Sequence, residues 1–139
     1  MPIRPVRTVS TAALVIASLL ALSACGEAIR NLRGTSDEFD GAWVGQIQVV
    51  TRTPVCTLSR GGIRATIRGG VIDGKVRQPT GTAEFGAYIL ESGDLANGII
   101  DSQFEKDTAE VQGTFSGTEG SGRWKSKECS GNWTLRKIR

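Results

Sequence analysis

Histidine does not occur in the 139 residues of this chain. A serine or cysteine nucleophile therefore lacks its usual base. Cysteine is scarce, with three residues, and two cysteines without histidine do not complete a tetrahedral zinc site. Carboxylates are plentiful, yet no pair has a spacing that marks a general acid and its base. The glycine-rich Gly117-Thr118-Glu119-Gly120 lacks the lysine of a phosphate loop and precedes a strand, so it reads as a turn. These absences point away from an enzyme, a bound metal and a cofactor. No window carries a 3.6-residue apolar period long enough for an amphipathic helix.

Long apolar runs are also missing, with one exception at the start. Arg4 and Arg7 precede an apolar stretch, Thr11–Leu22, and no acidic residue occurs before Glu27. The stretch is too short to span a bilayer and has the order of a secretory signal. It ends in Leu22-Ser23-Ala24-Cys25. These four residues resemble the lipobox of bacterial lipoproteins. The resemblance implies that Met1–Ala24 is a signal helix removed on export, and that the Cys25 thiol carries a diacylglyceryl group. It implies a membrane partner through acylated Cys25 and a place in the cell envelope. Gly26, where an aspartate would retain the protein at the inner membrane, implies transfer to the outer membrane, facing the periplasm or the cell surface.

Removal of that leader leaves 115 residues, enough for one small domain. The leader holds two of the 17 basic residues and none of the 14 acidic ones, which leaves the mature chain near neutrality at +1. Net charge thus gives no case for nucleic-acid binding. With Cys25 acylated, Cys56 and Cys129 remain as a pair, and an oxidising compartment makes a disulfide the expected state. In the chain-entropy view such a long loop stabilises the fold by roughly 4 kcal/mol.

Residues 25–40 read as the lipidated cysteine and its tether, rich in polar and charged residues. Residues 41–139 read differently. Glycines recur, β-formers alternate with polar residues, and turn signals come at short intervals. Eight strands are expected, near 42–52, 62–68, 71–78, 82–90, 93–101, 109–116, 120–126 and 130–136. The inward positions include Trp43, Gly45, Ile47 and Val49, then Ile63, Ala65 and Ile67, then Ile72, Gly74 and Val76. They continue with Phe85, Ala87 and Ile89, with Leu95 and Ile99, with Ala109, Val111, Gly113 and Phe115, with Gly120, Gly122 and Trp124, and with Gly131, Trp133 and Leu135. Asp73-Gly74 and Asn97-Gly98 are both hairpin signals. The preferred reading puts tight turns at the glycines that lead these phrases and bulges at the second ones.

Cys56 follows the first strand and Cys129 precedes the last. A bond between them brings those strands side by side, as closure of an eight-stranded antiparallel up-and-down barrel requires. An all-β fold of that kind is expected, and a sandwich satisfies the same bond. Closure also protects sheet edges from aggregation. With Trp43-x-Gly45 near its start, the mature domain resembles small calycin-like barrels. Trp43, Trp124 and Trp133 either fill the core or line a ligand cavity, and close packing of protein interiors favours the first.

Charge is segregated. Residues 41–80 carry Arg52, Arg60, Arg64, Arg68, Lys75 and Arg77 against Asp73, and residues 82–110 carry seven carboxylates against Lys106. The C-terminal part is basic again. A dipolar surface follows, suited to orientation toward a charged partner or an anionic membrane. The expected function is a non-enzymatic, lipid-anchored binding or interaction module of the envelope, inhibitor-like in one version, with an envelope protein, peptide or polymer as its partner. A carrier of a small hydrophobic ligand and a structural envelope lipoprotein are the alternatives.

Overall fold

The computed structural model describes residues 35–56, 60–102 and 107–139. The expected signal helix, Cys25 and most of the expected tether lie outside the described residues. Eight strands follow one another: β1 (Gly41–Arg52), β2 (Gly61–Arg68), β3 (Val71–Gln78), β4 (Gly81–Ile89), β5 (Leu95–Ser102), β6 (Asp107–Ser116), β7 (Glu119–Lys125) and β8 (Cys129–Lys137). Each pairs antiparallel with the next, and β8 returns to β1, so the sheet closes into an up-and-down barrel. The closed barrel, not the sandwich, is the fold.

Strict alternation makes this possible. In β2 and β3 every second residue is buried, and the residues between are exposed. The turns set the register. Gly69 and Gly70 take φ of 56° and 71°, which lets a two-residue loop join Arg68 to Val71. Pro79-Thr80 joins β3 to β4 equally tightly, with Gln78 opposite Gly81. Gly117, at φ 58°, does the same between β6 and β7.

Two expectations need correction in these strands. Asp73-Gly74 is not a bulge: Thr66 to Asp73 and Ala65 to Gly74 pair in regular register. Ile99 does not face inward. It is 45% exposed, and Ile100 takes the buried place at 2%. The cause is the bulge at Asn97, which has a positive φ of 52° and lies where the β4–β5 register shifts. One extra residue reverses the inward parity of everything after it. Leu95 lies before the bulge and packs against the core as expected.

The interior is filled with rings. Trp43, Trp124 and Trp133 are each 1% exposed. The Phe115 ring lies 5.0 Å from Trp43, 5.6 Å from Phe39 and 5.7 Å from Trp133, and Phe85 lies 6.0 Å from Trp133. These spacings are those of tilted and edge-on aromatic contact. Inward glycines make the room. A Cβ on Gly113 would lie 2.5 Å from the Trp133 ring, and one on Gly131 would lie 2.8 Å from the Trp124 indole nitrogen.

Gly120 offers the cleanest test of this fit, because the nearest obstacles to a Cβ there are three atoms of the Phe115 ring, 2.7–2.9 Å away. Gly120→Ala should lower stability by about 1–3 kcal/mol through overpacking. The loss should shrink when Phe115→Leu is already present. Urea midpoints of the two single variants and the double variant measure that coupling.

Thr35–Asp40 belongs to the folded body, not to the tether as the sequence suggested. Thr35 forms a bridge with Leu90, and the Ser36 amide donates to Ile89 O at 3.0 Å. Phe39 is 3% exposed and stops the end of the barrel at which β1 begins. Its carbonyl accepts the Trp43 indole N–H at 2.8 Å. The Asp40 carboxylate accepts the Gly69 N–H at 2.9 Å and so holds the β2–β3 turn.

Candidate interaction surface

The residues that the sequence singled out separate into three groups. Trp43, Trp124 and Trp133 come together inside, but as packing. Each indole N–H already has a backbone acceptor: Phe39 O for Trp43, Gln48 O at 3.2 Å for Trp124 and Gln112 O at 3.0 Å for Trp133. Those acceptors were not legible in the sequence, since each depends on register. Rings in contact and polar atoms already satisfied leave these three side chains no vacancy to offer a ligand.

Cys56 and Cys129 form the expected disulfide, with Cα atoms 5.5 Å apart. It fastens the other end of the barrel, where β1 ends and β8 begins. Thr53 reinforces it: its N–H donates to Glu128 O at 2.9 Å and its hydroxyl to the Glu128 carboxylate at 2.8 Å. Thr53–Cys56 is a tight turn closed by the Cys56 N–H on Thr53 O at 3.1 Å, with Pro54 and Val55 at its exposed corner. Among the described residues the buried polar side chains are Gln78, Ser102 and Ser126, all at this end. Ser126 Oγ accepts the Cys129 N–H at 3.2 Å. Cys25 lies outside the described residues.

The third group is the outer wall. One row of exposed or half-buried residues crosses neighbouring strands in the order Glu119, Arg136, Val44, Arg64, Lys75, Glu84, Asp101, Thr108. Its centre places two cations, Arg64 and Lys75, next to two carboxylates, Glu84 and Asp101. Among the described residues none of these four has an ion-pair partner within 4.0 Å. Beside the cations lies an open groove of about 1020 Å³ over β1, β2 and β3, lined by Val44, Gly62, Arg64, Lys75, Arg77 and Arg139. No neighbouring heavy atom lies within 4 Å of a Cβ built on Gly62, so this residue deepens the groove.

Exposed apolar side chains gather nearby. Val71 on β3 pairs with Tyr88 on β4, and they are 44% and 36% exposed. Ile99 on β5 lies across from Gly86. Sequence reasoning missed this patch, because it placed Ile99 inside. The charged row argues against a barrel that spans a bilayer, whose outward face carries an apolar band. Among the described residues no three acidic or cysteine side chains gather as a metal site would require.

No protein family, curated protein or solved structure matches the chain.

Proposed function

We propose that this protein is a lipid-anchored component of the bacterial cell envelope that acts through the outer surface of its barrel, as a non-enzymatic interaction module. The carrying observation is the filled interior: three tryptophans and three phenylalanines occupy the space in which a carrier barrel would hold its ligand. Charges with no ion-pair partner among the described residues, and exposed apolar side chains, stand on the outside. The lipobox resemblance at Leu22–Cys25 supports the anchor, and Gly26 after it supports transfer to the outer membrane. A hydrolase is the reading least supported, for want of a base beside a nucleophile.

Two measurements test the reading. Mass spectrometry of the exported protein should find a diacylglyceryl group on Cys25, and an unmodified thiol there removes the anchor. Titration with a fluorescent fatty acid should leave emission from the buried tryptophans unchanged. Saturable quenching at one ligand per chain overturns the interaction module in favour of a carrier.

A further inference from the structure

We infer that the outer face of β3 and β4 is a self-association surface, and that its partner is a second copy of this chain. This goes beyond the function proposed above and does not rest on the lipid anchor.

The order of charge across four strands is self-complementary. Arg64, Lys75, Glu84 and Asp101 lie in one cross-strand row on β2, β3, β4 and β5. Read in the opposite direction, the row has the opposite signs. A second copy turned by 180° about an axis between β3 and β4, parallel to those strands, therefore lays Lys75 on Glu84 of the other copy. Arg64 and Asp101, one strand further out on either side, flank that contact with opposite charges on the curving walls, and each relation occurs twice. Turned about the perpendicular axis, like charges would meet. The pattern selects one two-fold arrangement, and interfaces of this symmetry must be self-complementary.

The apolar residues obey the same operation. Val71 and Tyr88 face each other across the same pair of strands, so each meets the other's counterpart in the second copy. Both are exposed, and Gly86, on the neighbouring row, carries no side chain to hold the two barrels apart. Asp73 pairs with Gly86 within one copy, and by the same rotation it meets Gly86 of the other copy, not another carboxylate. Apolar contact toward one end of β3 and β4 and opposite charges along the row make a small, mixed interface. Such interfaces are weak and salt-sensitive in dilute solution.

The test uses the mature chain with Cys25→Ser, which lacks only the acylation site, followed by sedimentation velocity at low and high ionic strength. The parent chain should show a sedimentation coefficient that rises with concentration, and 0.5 M salt should weaken the association by about tenfold. Arg64→Glu/Lys75→Glu makes the row wholly acidic, and Glu84→Lys/Asp101→Lys makes it wholly basic. Each variant alone should stay monomeric, and an equimolar mixture should form a one-to-one dimer. All four positions are exposed, and a cooperative melt for each variant verifies folding. A monomeric parent together with a monomeric mixture overturns the inference. A dimer that persists in both variants places the contact elsewhere and overturns it equally. If a variant does not fold, the parent decides: a dimer indifferent to salt excludes this surface.

Discussion

Trp133→Ala should lower the free energy of unfolding by about 3–5 kcal/mol, the range for deletion of a buried indole. Trp133 is 1% exposed and touches two other rings, Phe85 at 6.0 Å and Phe115 at 5.7 Å. The backbone around it is glycine at Gly113 and Gly122, and neither can fill the space left behind. Partial collapse is therefore restricted, which favours the upper part of the range. The Gln112 carbonyl also loses the indole N–H that it accepts at 3.0 Å. Denaturant midpoints read the loss. A domain of this size has about 5–15 kcal/mol in all, so the variant should remain folded at low temperature. It should also gain what the parent lacks, since apolar cavities of this kind bind small apolar molecules. Benzene should raise the melting temperature of the variant and leave that of the parent unchanged. A loss under 1 kcal/mol, or equal effects of benzene on both proteins, contradicts the packing described.

Removal of the disulfide should have an effect of similar size by a different route. The bond joins residues 73 apart in sequence. In the chain-entropy model a loop of that length contributes about 4 kcal/mol, through restriction of the unfolded chain. For a domain near 100 residues, that corresponds to a fall in melting temperature on the order of 15–30 °C. Cys56→Ala/Cys129→Ala measures it, with thermal melts of parent and variant compared in the absence of reductant. The closed ladder between β1 and β8 is independent of the bond and has its own hydrogen bonds. The variant should therefore keep its far-ultraviolet β signature at 10 °C. A shift of less than 5 °C would mean that the reduced unfolded chain is already compact.

Most of the barrel was legible because alternation fixes which side of a strand faces in. Seven of the eight strands had their inward residues assigned correctly from parity alone. The exception is β5. Asn97-Gly98 marks the bulge, but strict alternation runs straight through it and so places Ile99 inside, whereas the extra residue turns it out. Phe39 was missed for a different reason. A single aromatic among polar residues carries no period, and its burial depends on an opening that exists only after the barrel closes. The charged row was half legible. Segregation of sign along the chain was plain, but the pairing of Lys75 with Glu84 depends on a turn of two residues at Pro79-Thr80. One residue more in that turn would place Lys75 opposite a different neighbour. The disulfide was legible by elimination, since Cys25 was already assigned to the lipid.

The continuous ladder from β1 through β8 back to β1 also limits how the molecule can be recognised. Many domains capture extended peptides by strand addition, in which main-chain groups at an open border do much of the binding. A ring of strands offers no such border along its staves. Attachment to the barrel wall must therefore go through side chains alone. Those side chains occupy alternate positions, and the intervening ones maintain the hydrophobic interior. Partner preference can then drift by surface substitution while the scaffold beneath stays constant.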